Sequence, residues 1–304
     1  MGPQHQHHHI DAQMGDRRVA LAVAINLALS ITQIIGGIFS GSLALIADAM
    51  HNFSDAISLI IAFGARKIAR RAANADMTFG YGRAEIVAAL INYTTLIMIG
   101  FYLVYEAILR FFAPQDVDGW LVVIIAGLAL LVDLATAFLT YTMSKTSMNI
   151  RAAFLHNMAD ALGSVAVIFA GTLILLYDWR LIDPLITLLI AGYILWQSFK
   201  EIGPVIRILM LGSPPGANLE KLVDDILGLE GIDDIHHAHL WQIDEHRTAL
   251  DAHLVIKKGS WRDADAIKAS AKKCLQDLHG ISHTTLELEC SVHACPEPQI
   301  FAKI

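Results

Sequence analysis

Long apolar segments alternate with short polar ones over the first two thirds of the chain. Each apolar segment reaches about the 20 residues that a membrane-spanning helix needs. The segments cover residues 19–39, 43–65, 83–112, 120–143, 152–177 and 182–211. This pattern predicts a membrane domain of six transmembrane helices.

The pattern changes after the helix-breaking stretch SPPGA at 213–217. Apolar residues then recur with helical spacing over 219–229, and strands are predicted at 235–243 and 248–256. A helix at 263–279 and a strand at 284–290 complete the order αββαβ. We therefore expect a C-terminal α+β domain of the open-faced sandwich type.

These patterns divide the chain into a tail at 1–16, a membrane domain at 17–212 and a C-terminal domain at 213–304. The tail is polar, and the first apolar run is long enough to span, so no cleavable signal peptide is expected. The tail reads as an expression tag, an unstructured segment or a native metal-gathering segment, and no site is assigned to its four histidines: His5, His7, His8 and His9.

Composition agrees with a membrane protein, because 55% of the residues are hydrophobic and only 17% are charged, against about 25% in soluble domains. The net charge of -7 argues against a nucleic-acid partner. Three cysteines lie in the C-terminal domain, too few for a disulfide framework, which favours a cytosolic face. They are Cys274, Cys290 and Cys295.

Charge also sets the predicted orientation. Six spans place both termini on one side, and cytoplasmic loops of membrane proteins carry an excess of Lys and Arg. Cations cluster at 17–18, 66–83, 145–151 and 200–207, which all fall on one face, whereas the opposite loops carry aspartates. We expect a multi-pass protein of a bacterial inner membrane with both termini in the cytoplasm.

Two of the predicted spans repeat one polar motif, HNFSDA at 51–56 and HNMADA at 156–161. In each motif the histidine and aspartate are four residues apart and share a helix face. Ionisable residues inside a span are costly and indicate function. His51, Asp55, His156 and Asp160 together supply two imidazoles and two carboxylates, a complete ligand set for zinc.

The predicted topology brings these pairs to similar depth. Span two enters from outside and span five from inside, so both pairs approach the midplane of a core about 30 Å thick. Each pair lies on the middle helix of a group of three, which resembles the inverted repeats of secondary transporters. We expect helices two and five to bring all four side chains together.

Further polar residues lie within the spans. Asp48 precedes His51 by three residues and is a candidate partner that orients the site. Asp133 lies in the middle of an apolar run and is a candidate proton relay, or the partner of a cation from another helix. For the amides of Asn26, Gln33 and Asn92, hydrogen bonding between helices is favoured over lining a pathway.

The C-terminal domain is rich in metal-ligand side chains. Strict alternation along the first strand predicts that His237 and His239 face one way and His236 the other. His253 lies on the second predicted strand. Acidic and thiol ligands follow near the end of the chain, at Glu287, Glu289, Cys290, His293 and Cys295. This density favours a second metal site, while Cys274 reads as a buried helix residue.

The chain resembles the cation diffusion facilitators, specifically their zinc-transporting branch. The resemblance covers nearly the whole chain and rests on SGSLALIADAMHNFSDA, FGYGRAEIVAALIN, RAAFLHNMADALGSVAVI, HHAHLW, LDAHLVI and HTTLELE. It implies a homodimeric antiporter that exchanges protons for zinc, and for cadmium or other divalent transition metals, leaving the cytoplasm. The histidine-rich loop of many eukaryotic relatives is absent between spans four and five.

The resemblance also carries over residue roles. His51, Asp55, His156 and Asp160 match the transport site. His236, His253 and Glu289 match the metal-binding positions of the cytoplasmic domain, which would bind zinc and stabilise the dimer. Cys290, His293 and Cys295 resemble the terminal cysteine motif of some relatives, although the spacing is C-x4-C rather than C-x2-C.

Metal and protons would compete for one site, since ligands must be deprotonated to bind metal.

Three other classes of function remain. An intramembrane metalloenzyme needs an open metal position and a general base, and the sequence offers neither beside the four ligands. A metal sensor would leave the membrane motifs without a role, and a passive channel would conduct without proton coupling.

Overall fold

The computed structural model describes residues 12–144, 148–295 and 299–300, without the side chains of 12–22, 139–140, 142–144 and 148–153. The histidines of the N-terminal tail lie outside this range. The described chain forms two compact units. The first contains the residues up to Gly64 together with Ile91–Ile202, and the second contains Ala65–Leu90 with the residues from Gly203 onward.

Within the described residues, six helices are long and apolar enough to cross a membrane, which confirms the predicted spans. The helix bounds lie within a few residues of the hydropathy boundaries, with three exceptions: α1 begins seven residues earlier, α2 ends four residues later and α5 begins four residues earlier than the predicted apolar run. They are α1 (Ala12–Ser40), α2 (Leu43–Ala69), α3 (Ala84–Phe112), α4 (Gly119–Ser144), α5 (Met148–Tyr177) and α6 (Ile182–Leu209).

Among the side chains that the structure describes, two buried apolar clusters hold the first unit together. One joins the first turn of α2 to α4, α5 and α6, and it includes Leu45, Val122, Val167 and Ile186. The other joins α2 to α3 and α6 and includes Leu103 and Ile194. Both clusters contain residues from the beginning of α2, so this end of the helix is surrounded by packed side chains.

A buried carboxylate caps the beginning of α2. The Asp183 side chain, 1% exposed at the start of α6, accepts hydrogen bonds from the Ser42 hydroxyl at 2.5 Å and the Leu43 amide at 2.8 Å. Arg110 of α3 lies 3.7 Å from the same carboxylate. Free N–H groups at a helix start attract an acceptor and a negative charge. One side chain therefore links three helices.

The second unit contains the predicted αββαβ order. It has α7 (Leu219–Leu227), β1 (Ile232–Gln242), β2 (Thr248–Ile256), a 3₁₀ turn, α8 (Ala264–His279) and β3 (His283–Cys290). The sheet order is β1-β2-β3, with β1 antiparallel and β3 parallel to β2. One face packs on both helices through a core that includes Leu222, Leu254 and Leu275.

The loop between α2 and α3 also belongs to this unit, where it contacts the end of β1. Arg83 donates to the backbone carbonyls of Gln242 and Ile243, at 3.2 and 3.0 Å. The Phe79 ring lies edge-on to the rings of Trp241 and His283. These contacts fix the polar connection between two spans to the sheet.

The strand β1 departs from the alternation expected from its sequence. Its pairing with β2 shifts between His236 and His239, and His237 has a φ of 48°. A bulge places two residues of one strand opposite one residue of its partner, so side chains beyond it change face. The prediction that His236 and His237 point in opposite directions is therefore wrong.

Replacing Asp183 by Ala is expected to lower the free energy of unfolding by about 2–4 kcal/mol, because a helix cap and a buried charge partner of Arg110 are lost together. Denaturant titration of the purified protein in detergent would measure it. The control is Asp116→Ala, which removes an exposed aspartate paired with Arg180 and should unfold like the unaltered protein. Equal unfolding of both variants would contradict the capping role.

Candidate metal centres

The two repeated motifs meet within the first unit. His51 Nε2 lies 3.6 Å from a carboxylate oxygen of Asp55 and 3.6 Å from one of Asp160. His156 Nε2 lies 3.3 Å from Asp55 and 3.5 Å from Asp160. Each imidazole thus contacts both carboxylates, and the predicted meeting of the four side chains is found.

This spacing fits a tetrahedral metal ion. Zinc bonds of about 2.0–2.1 Å at tetrahedral angles hold donor atoms about 3.3 Å apart. The ligand atoms of His51, Asp55 and Asp160 all lie within 4.8 Å of one another. Among the described residues, Asp55 Oδ2 and Asp160 Oδ1, which face His51 Nε2, are buried without a hydrogen-bond partner. Buried polar atoms are normally satisfied, so this donor set suits a bound cation.

The four side chains differ in exposure. Those of His51 and Asp160 are 11% and 8% exposed, whereas those of Asp55 and His156 are 25% and 42% exposed. Asp55 and His156 are the pair nearer to the end where α2 finishes and α5 begins. The two side chains nearer to that end are therefore the more exposed pair.

Polar partners surround the buried side of this site. Gln33 of α1 donates to Asp48 at 2.8 Å, and Asn52 donates to Gln33 at 3.4 Å. Asp48 is 3% exposed and lies against Gly163, where an added Cβ would come within 2.8 Å of its carboxylate oxygen. The expectation that the Gln33 amide bonds between helices is met.

A second buried carboxylate belongs to α4. Asp133, 6% exposed, accepts a hydrogen bond from the Ser164 hydroxyl of α5 at 3.3 Å. Sequence reasoning missed Ser164, although it follows Asp160 by four residues and so shares its helix face. It also missed Tyr193 of α6, whose ring centroid lies 6.3 Å from that of His51. Tyr193 carries no sequence signal beyond its polar hydroxyl in an apolar helix.

A second group of ligand side chains lies on the sheet of the second unit. His236 and His253 face each other across β1 and β2, with ring centroids 5.3 Å apart. Glu289 of β3 reaches both, at 3.3 Å from His236 Nε2 and 2.7 Å from His253 Nδ1. The structure thus brings together the three residues expected for the cytoplasmic site.

His237 joins this group through the bulge. Its ring centroid lies 5.0 Å from that of His236 and 4.8 Å from that of His253. The ligand atoms of all three histidines lie within 4.8 Å of one another. Neighbouring carboxylates contact the outer ring atoms, Asp234 at 3.4 Å from His236 and Glu287 at 3.3 Å from His253.

The electrostatics of Glu289 suit a cation. Burial raises the pKa of its carboxyl, but the hydrogen bonds to His253 and to the Cys295 amide outweigh burial and hold the pKa below its usual value. The carboxylate is therefore the stable form at neutral pH.

The cysteine motif is not assembled in the same way. Cys290, His293 and Cys295 form no group of close ligand atoms among the described residues, where only the two clusters above do so. Cys295 contributes its backbone N–H to Glu289, at 3.3 Å. Cys274 is half-buried on α8 rather than fully buried, and burial raises the pKa of its thiol.

Comparison with known proteins identifies the family. The family model of the cation efflux transmembrane domain matches residues 19–210. The model of the cytoplasmic domain of cation efflux proteins matches residues 214–291. The chain therefore belongs to the cation efflux family, a family of transporters, and the resemblance to the cation diffusion facilitators is confirmed.

Relatives match over almost their full length. A cadmium, cobalt and zinc/H(+)-K(+) antiporter of Bacillus velezensis is 36% identical over 94% of this chain and 93% of its own. The zinc transporter ZitB of Pectobacterium atrosepticum is 35% identical over 94% and 92%. The metal cation efflux system protein CzcD of Cupriavidus metallidurans is 30% identical over 95% and 90%.

Replacing Gly163 by Ala is expected to displace the Asp48 carboxylate and break its bond to Gln33, which should destabilise the protein by about 1–3 kcal/mol and slow metal flux. Unfolding in detergent and zinc uptake by proteoliposomes would measure these effects. The matched control is Gly127→Ala, where an added Cβ meets no described atom within 4 Å. A helical alanine there should be neutral or stabilising. Similar behaviour of both variants would contradict the close packing of Asp48.

Proposed function

We propose that this protein exports zinc, and other divalent transition metals, from the cytoplasm in exchange for protons by alternating access. The observation that carries the proposal is the ring of contacts among His51, Asp55, His156 and Asp160. Metal is the transported substrate here, so the ligands must release it as well as bind it. The named activities of the relatives support the same function.

Competition between metal and protons provides the coupling. A carboxylate or imidazole that holds a proton cannot offer the same lone pair to a metal ion. When the site faces the more acidic side, protonation displaces the metal, and when it faces the less acidic side, deprotonation restores the ligands. Histidine suits this exchange because its ordinary pKa lies near physiological pH.

The exposure of the four ligands supports an inward-facing conformation. The positive-inside rule assigns the end at which α2 finishes and α5 begins to the cytoplasm, with both chain termini on that side. The more exposed ligands, Asp55 and His156, are the pair nearer to this end. Outward opening then requires separation of the apolar cluster around Leu45 and Val167 at the opposite end.

Asp48 and Asp133 are proposed to support the site without binding the metal. Asp48 bonds to Gln33, which fixes α1 beside the turn of α2 that carries His51. Asp133 bonds to Ser164, one helical turn beyond Asp160, and is a candidate for passing protons to the site. Such outer partners orient ligands and adjust their basicity.

The second unit is proposed to bind zinc through His236, His253 and Glu289 and to stabilise a homodimer. Cys290, His293 and Cys295 remain candidates for additional ligands. We retain the division into a tail at 1–16, a membrane domain at 17–212 and a cytoplasmic domain at 213–304, in a bacterial inner membrane. No nucleic-acid partner is expected.

Zinc uptake into proteoliposomes, with internal pH recorded at the same time, tests the antiporter. An acidic interior should accelerate zinc entry, and internal pH should rise as protons leave. Asp55→Ala and Asp160→Ala should each abolish both signals, because each removes one charged ligand of the substrate.

The matched control is Asp116→Ala, which removes an exposed aspartate outside the site and should transport normally. Zinc entry that ignores the pH gradient would indicate a channel. Bound zinc without any entry would favour a sensor. Normal transport by Asp55→Ala or Asp160→Ala would place the transport site elsewhere.

Metal selection should depend on the two imidazoles. Replacing His51 or His156 by Asp exchanges an imidazole nitrogen ligand for a carboxylate oxygen ligand. Harder ions such as manganese prefer oxygen ligands. We expect the ratio of manganese to zinc flux to rise at least about tenfold, equivalent to about 1.4 kcal/mol of relative selectivity. Flux measured with each ion separately gives the ratio. His246→Asp, at an exposed turn, should leave it unchanged, and an unchanged ratio in the site variants would refute the role of the imidazoles.

A further inference from the structure

His237 occupies an unusual backbone position in β1. Its φ of 48° lies in the left-handed region, where residues other than glycine are uncommon although histidine is tolerated better than most. The same residue lies in the register shift between His236 and His239. Strained backbone of this kind persists where the surrounding structure enforces it, and it concentrates at functional sites.

Two backbone hydrogen bonds to residues near the end of the chain hold this conformation. The His237 amide donates to the Gln299 carbonyl at 3.1 Å, and the Ala238 amide donates to the Ile300 carbonyl at 2.9 Å. The bulged residues therefore keep backbone partners although they have left the pairing with β2. The bulge is a supported feature of the strand rather than a frayed end.

The bulge changes which side chains meet. With regular alternation the His237 ring would point away from His236, but here the rings of His236, His237 and His253 form a triangle with centroids 4.8–5.3 Å apart. Glu289 reaches two corners of this triangle. His236 is 1% exposed, and both of its ring nitrogens lack a hydrogen-bond partner among the described residues.

Three imidazoles and a carboxylate form a complete ligand set for a tetrahedral divalent cation. We propose that His237 is a metal ligand, and that His236, His237, His253 and Glu289 bind one zinc ion within a single protomer. This inference rests on the cytoplasmic site proposed above and adds a ligand to it. The strained bulge is then explained, because it turns the His237 imidazole towards the other ligands.

Zinc binding to the full-length protein tests the assignment. Asp55→Ala and Asp160→Ala are introduced first, so that the transport site does not contribute. In this background, zinc affinity is measured by competition with a chromophoric chelator for His237→Asn, His239→Asn and His236→Ala. Asparagine adopts the left-handed backbone readily and removes only the ring. His239 is the matched control, on the same strand and outside the cluster.

We expect His237→Asn to weaken zinc affinity by at least about tenfold and His239→Asn to leave it unchanged. The absorption of bound cobalt gives an independent readout, because the loss of an imidazole ligand changes the positions and the intensity of its visible bands. His237→Gly serves as a second variant: it relieves the backbone, so the metal-free protein should unfold no more easily than the parent, yet zinc should stabilise it less.

The outcomes separate the two proposals. Weak binding by both His236→Ala and His237→Asn supports both. Weak binding by His236→Ala with parental affinity and cobalt spectrum in His237→Asn overturns the role of His237 and leaves the cytoplasmic site standing. Parental affinity in both variants overturns the site and the added ligand together.

Discussion

The cost of placing ionisable groups inside apolar helices constrains the structure of the first unit. A charged side chain at the centre of a bilayer is expensive unless it has a partner or binds an ion. His51, Asp55, His156 and Asp160 meet this constraint collectively, because each imidazole contacts both carboxylates. The four side chains meet only when α2 and α5 keep their positions, and the packing of the other helices maintains those positions.

The supporting contacts fall on different helices and act on different parts of α2. Asp183 of α6 caps its first turn, together with Arg110 of α3. Gln33 of α1 bonds to Asp48, one turn before His51. Gly163 of α5 leaves the space that Asp48 fills. Neighbours on several sides therefore fix the position of α2. Reorientation of the site requires these contacts to change.

The sequence predicted the six spans and the meeting of the two His/Asp pairs, because hydropathy and the i,i+4 spacing are local properties that the fold keeps. It could not predict the Asp183 cap, which joins Ser42 and Asp183 across 141 positions. It also failed at His237, since the alternation rule assumes an uninterrupted strand and the bulge is held by the distant residues Gln299 and Ile300. In both cases a contact remote in sequence decided the local geometry.

Charge explains why the proposed transport site suits exchange better than simple binding. With both carboxylates ionised and both imidazoles neutral, Asp55 and Asp160 give the site two negative charges in surroundings where charge is costly. A zinc ion neutralises these charges, and so do protons taken up by the four side chains. The site is therefore more stable during reorientation when it holds zinc or protons than when it holds neither. A low population of the empty, deprotonated state links each outward movement of metal to an inward movement of protons.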